Sequence, residues 1–108
     1  MKIIDIHSVI TIKQLYTILC QKLNPYFKAQ RQQDIDFTIE DKGGFIEISQ
    51  PEMYEGFLFR IEISGTQLHI TRSEHYVDDV NSLTVESILN SLFDDLSGDL
   101  EVSMVVEG

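Results

Sequence analysis

The feature that most constrains this chain is where its hydrophobic period switches. Two stretches repeat with the 3.6-residue period of a helix, and between them lie four short stretches that alternate with the period of a strand. In the first helical stretch, Thr11 to Asn24, Ile12, Leu15, Tyr16, Leu19 and Leu23 fall on one stripe. Thr11 and Gln14 have the spacing of a capping box, and Asn24-Pro25 reads as a stop. In the second, Thr84 to Leu96, Val85, Ile88, Leu89, Leu92, Phe93 and Leu96 share a stripe. Thr84 reads as its N-cap and Gly98 as its C-terminal stop.

The intervening segments are strands. Ile35, Phe37 and Ile39 alternate with polar residues, Gly43-Gly44 supplies a turn with positive φ, and Phe45 to Ser49 returns. Pro51 interrupts, after which Phe57, Phe59, Ile61 and Ile63 alternate with Leu58, Arg60 and Glu62. Gly65-Thr66 turns the chain into Leu68, Ile70 and Arg72. Lys2 to Ile10 reads as a further strand, with Ile4, Ile6 and Ile10 on one face and Ile3 and Val9 on the other, a pattern suited to cover on both faces. Leu100, Val102, Met104 and Val106 read as a closing strand. Tyr26 to Gln33 and Ser73 to Leu83 are polar and read as connections. The expected order is β-α-β-β-β-β-α-β, a single α+β domain over residues 1–108 with a largely antiparallel sheet covered by two amphipathic helices. Its core should include Leu15, Leu19, Phe37, Phe59, Ile61, Ile88, Leu92 and Phe93.

Charge narrows the function. With 18 acidic and 8 basic residues the net charge is −10, which argues against direct nucleic-acid binding. The imbalance is local: residues 1–33 carry +4, residues 34–72 carry −5, and residues 73–108 carry −9 with no Lys or Arg. No apolar run approaches the ~20 residues of a bilayer span, so no membrane partner is expected. Asp5 interrupts the apolar stretch that a secretory leader would need, and one cysteine, Cys20, fits a reducing cytoplasmic setting.

Motifs for catalysis are missing. His7 and His69 lie in expected strands, where structural roles suffice. Cys20 sits beside the helix stripe and reads as a buried structural thiol. Glu74, His75, Asp78 and Asp79 have metal-binding chemistry but match no metal-loop spacing, and no cofactor is expected. Asp94 and Asp95 are adjacent on a helix and point apart, so they do not form an acid-base dyad. A binding protein is the better reading than an enzyme.

The candidate binding residues are therefore acids. Glu86, Ser87, Asn90, Ser91, Asp94 and Asp95 form the polar face of the second helix, with no base nearby in sequence to neutralise it. Glu74, Asp78 and Asp79 precede that helix and Asp99 follows it, so the region carries one sign of charge that a basic partner would feel. The alternative is a solvated face that serves solubility. Tyr76, set among the acids, reads either as an aromatic anchor or as a packed loop tyrosine.

In size, charge and element pattern the whole chain resembles bacterial immunity proteins, in particular those of contact-dependent growth inhibition systems. The acids from Glu74 to Asp99 carry the resemblance. It implies a protein that binds and blocks a basic toxin domain, often a nuclease, whose substrate groove attracts an acidic plug. Those families share no common fold, so no binding residue is carried over by position. Two alternatives from other classes are a secretion-type chaperone for an effector and a phage-style DNA mimic.

Overall fold

A computed structural model describes residues 2–96 and 105–107. The chain runs β1 (Lys2–Asp5), α1 (Ile12–Arg31), β2 (Thr38–Asp41), β3 (Phe45–Ser49), β4 (Phe57–Ser64), β5 (Gln67–Arg72), a 3₁₀ turn (Glu74–Tyr76), α2 (Val80–Leu96) and β6 (Val105–Glu107). The strands form one sheet in the order β2-β3-β4-β5-β1-β6, with every neighbouring pair antiparallel. This is the expected α+β domain and element order. A radius of gyration of 13.2 Å matches the ~13 Å of one compact domain of about 100 residues.

Register explains the core. Ile46 lies opposite Ile61, Ile61 opposite Ile70, and Ile4 opposite Leu68, so alternate residues of four strands share one apolar face. Buried residues of α1 and α2 join that face in one hydrophobic cluster, and the two helices touch each other. All eight residues expected in the core are buried.

Where pattern and structure part, a local interaction explains the difference. α1 runs through Asn24-Pro25 to Arg31 instead of stopping there. An internal proline costs about 3 kcal/mol. The row Leu15, Leu19, Leu23 continues to Phe27, which is fully buried and meets Phe37 edge-on at 4.8 Å. Asn24 also clamps Phe37, accepting from its N–H at 2.7 Å and donating to its carbonyl at 3.1 Å. The capping box of Thr11 and Gln14 forms as expected. Gln32, left-handed with φ 54°, ends the helix.

α2 begins at Val80, four residues before the expected N-cap. Asp79 caps it, accepting from the N–H groups of Asn81 and Ser82 at 3.1 and 3.2 Å. Thr84 is instead inside the helix, with its hydroxyl donating to the carbonyl of Val80 at 2.8 Å. β1 is also shorter than expected. Asp5 accepts from the N–H of His7, whose φ of 60° turns the chain out of the strand. Ile6 remains buried, but Val9 is 79% exposed, so the segment is not covered on both faces and His7 is not in a strand. β2 starts at Thr38 rather than near Ile35.

In β4 a bulge breaks the alternation. Ile48 pairs with Phe59 but Ser49 pairs with Phe57, leaving Leu58 as an extra residue. Leu58 and Phe59 are both buried, and Phe57 turns to the other side, where it meets Arg60. The expected stop at Gly98 and the strand residues Leu100, Val102 and Met104 lie outside the described residues.

Replacing Phe27 with Ala should destabilise the fold by about 3–5 kcal/mol, and Leu92 with Ala by about 2–5 kcal/mol, in denaturant-induced unfolding. A loss below about 0.5 kcal/mol for either would show that its helix does not face the core.

Candidate acidic docking site

The acids anticipated as one binding field divide into those that hold the fold and those that face solvent. Glu86 belongs to the first group. Arg72 Nη1 reaches its two carboxylate oxygens at 3.2 and 3.4 Å, and Lys2 Nζ lies 3.9 Å away. The polar face of α2 is therefore not free of bases, as the local sequence implied. Strand register brings them: Lys2 and Arg72 lie on the inward face that carries Ile4 and Ile70, directly beneath α2. Lys2 also donates to Asn90 Oδ1 at 3.3 Å.

Asp79 has a structural role too. Besides capping α2 it accepts from the Tyr54 hydroxyl at 2.7 and 3.0 Å. Asn81 in turn donates to that hydroxyl at 3.1 Å. Burial, and then the hydrogen bond to Asp79, raise the pKa of the Tyr54 phenol above its ordinary value of 10.0. Tyr76 is half-buried, with its ring edge-on to Tyr54 at 4.9 Å. Its hydroxyl accepts from the N–H of Glu55 at 2.8 Å and donates to the Glu55 carbonyl at 3.0 Å. Tyr76 is thus a packed tyrosine that latches one loop to another.

That latch assembles an acidic cluster, of which the sequence pattern offered Glu74 and Asp78 but not Glu52 and Glu55. It joins residues 50–56, between β3 and β4, to residues 73–79, between β5 and α2. Glu52 and Glu55 therefore stand at the same end of the molecule as Glu74 and Asp78, and all four are exposed. No Lys or Arg occurs between residues 43 and 59 or between 73 and 96. Between the loops is a recess of about 340 Å³ lined by Glu55, Gly56, Phe57, Ser73, His75 and Tyr76. The tyrosines were the available signal, since two tyrosines in polar loops with neighbouring acids have hydroxyls to satisfy.

Asp94 and Asp95 are exposed on the last turn of α2. At 1.5 Å per residue they lie about 22 Å along the helix from Asp79. That is beyond the ~8 Å screening length at physiological salt, so the two acidic ends act separately. Asp99 lies outside the described residues. No family model matches this chain, and comparison with curated proteins and solved structures returned no match.

The remaining candidates are resolved individually. Cys20 is exposed rather than buried, one turn from Tyr16, because the buried row passes through Leu19 and Leu23 beside it. His69 is half-buried on β5, 3.3 Å from Gln67 Oε1. His75 is exposed, and among the described residues no group of three His, Cys, Asp or Glu side chains converges to hold a metal ion. Among the described residues no helix is long and apolar enough to cross a membrane.

The side of the sheet away from the helices carries a second polar array. Glu40 and Glu47 face each other across β2 and β3, a repulsive placement relieved by Lys42 on Glu40 at 3.3 Å and Arg60 on Glu47 at 3.0 Å. The Arg60 guanidinium also lies 4.1 Å from the Phe57 ring and 5.5 Å from that of Phe45. These groups neutralise one another.

The latch is testable through pH. Because the folded pKa of Tyr54 exceeds its unfolded value, its contribution is complete below pH 10 and is lost as pH rises through the folded pKa. Replacing Tyr54 with Phe should cost about 1 kcal/mol at neutral pH and flatten the loss of stability above pH 10, measured by urea unfolding across pH 7–11. An unchanged alkaline slope would mean that Tyr54 does not bond to Asp79 in solution.

Proposed function

We propose that this chain is a toxin-neutralising immunity protein that binds and blocks a basic protein domain, such as a nuclease, in the cytoplasm. The observation that carries this reading is the charge left after internal pairing. Lys2, Lys28, Lys42, Arg60 and Arg72 are each engaged with carboxylates of the fold, and the remaining bases, Lys13, Lys22 and Arg31, all lie on α1. Glu52, Glu55, Glu62, Glu74, Asp78 and Asp95 are exposed and have no ion pair among the described residues.

Unpaired surface carboxylates of one sign add self-repulsion and contribute nothing to folding, yet they raise the rate at which a basic partner is captured. On this reading the chain acts by occlusion and needs no catalytic group or cofactor. The resemblance to immunity proteins of contact-dependent growth inhibition supplies the biological setting, and the uncompensated acid supplies the means.

The test is whether the gene directly upstream encodes a basic effector domain, followed by co-expression of this chain with that domain. Growth should be restored and a stoichiometric complex recovered. Raising salt from about 0.02 to 0.15 M should slow association by tenfold or more while dissociation changes little, because screening acts mainly on encounter. Failure to protect, or an association rate indifferent to salt, would defeat the proposal.

A further inference from the structure

We infer that the end of the molecule formed by residues 50–56, residues 73–79 and the first turn of α2 is a docking surface for a basic protein segment with aliphatic side chains set between its cations. The inference rests on the basic-partner reading above and adds the place and the chemistry of contact.

The first observation is apolar exposure. The described residues leave six large hydrophobic side chains exposed, and four of them are here: Met53 at 48%, Val77 at 36%, Val80 at 54% and Leu83 at 44%. Single exposed apolar residues need no explanation, whereas a group gathered at one end of a small domain marks an interaction surface. Val80 and Leu83 lie one turn apart on α2 and so share a side. At 100° per residue that side is opposite the one carrying Val85, Leu89 and Leu92 into the core. α2 therefore has two apolar stripes, a long one that holds the fold and a short one that stays about half exposed.

The second observation is the charge around that stripe. Glu52 flanks Met53 and Asp78 flanks Val77, while Glu55 and Glu74 complete the rim, without a compensating base in either loop. An apolar centre with a charged rim is the usual anatomy of a protein interface, and here the rim selects for Lys and Arg. The recess of about 340 Å³ is lined by Glu55, His75 and Tyr76 beside Phe57, whose ring is already covered by Arg60 at 4.1 Å, so the exposed acids of the rim are what a cation would meet. The Tyr54–Asp79 and Tyr76–Glu55 bonds already fix both loops, so little ordering remains to oppose binding.

The experiment uses two synthetic peptides of equal positive charge, one alternating Arg with Leu and one alternating Arg with Ser. Each is titrated into the full ¹⁵N-labelled chain. The amides of residues 52–57 and 74–83 should move, and the Arg/Leu peptide should bind about tenfold more tightly. Val80→Ser with Leu83→Ser should erase that difference while leaving Arg/Ser affinity within about twofold. Both positions are on the surface, and unchanged core amide shifts would confirm the fold. Glu52→Lys with Asp78→Lys should weaken both peptides more than Glu62→Lys with Asp95→Lys, which alters net charge equally. Perturbed amides elsewhere, or equal affinity of the two peptides, would overturn the docking surface and leave the basic-partner reading standing. No binding of either peptide at low salt would overturn both.

Discussion

Everything in this molecule depends on a one-sided core. Two helices, each with one long apolar stripe to bury, need a sheet with one continuous apolar face, and register supplies it by aligning Ile4, Ile46, Ile61, Leu68 and Ile70 on one side. Both helices then compete for the same side. The bulge at Leu58 increases what that side can offer, since it turns two consecutive residues, Leu58 and Phe59, into the core where strict alternation allows one. The same bulge rotates Phe57 outward, where it lines the recess between the two loops.

Asp79 shows how a single carboxylate can link fold and function. It caps α2 and accepts the Tyr54 hydroxyl, so the start of the helix and the β3–β4 connection are fixed by one group. A carboxylate at a helix N-terminus is favoured by the helix dipole, which makes this an electrostatically comfortable place for it. Its negative charge is therefore committed to the structure. What it offers a partner is indirect: it holds Glu52 and Glu55 beside Glu74 and Asp78.

How much of this was legible in the sequence follows from the range of each interaction. Periodicity is local and robust, so the element order, the helix stripes and the core residues could be read directly. Asn24-Pro25 misled because the signals that outweigh it are the burial of Phe27 and the clamp on Phe37, thirteen residues from Asn24. Thr84 misled because Asp79, the true cap, sat in a segment whose polarity suggested a loop. The site was harder still. Glu86 looked uncompensated because its bases, Lys2 and Arg72, come from other strands, and Glu52 and Glu55 looked irrelevant because only tertiary contacts bring them to the acidic loop. Local charge counting therefore placed the excess in residues 73–108, whereas Glu52, Glu55 and Glu62, exposed and without an ion pair among the described residues, belong to residues 34–72.

The distribution of that excess bears on specificity. A uniformly acidic surface attracts any cation and discriminates little, because long-range attraction scales with total charge. Here α2 separates two acidic ends by more than two screening lengths at physiological salt, so a partner feels them as distinct sites. Only the end near Asp79 combines carboxylates with exposed Met53, Val77, Val80 and Leu83 and with an aromatic recess. On the proposed reading, acids at the far end would steer encounter, whereas contact energy would come from apolar area and from charges that lose water on docking. A partner with cations alone would associate quickly and leave quickly. One that matched the apolar stripe as well would stay, and that difference in residence is what separates specific inhibition from general stickiness.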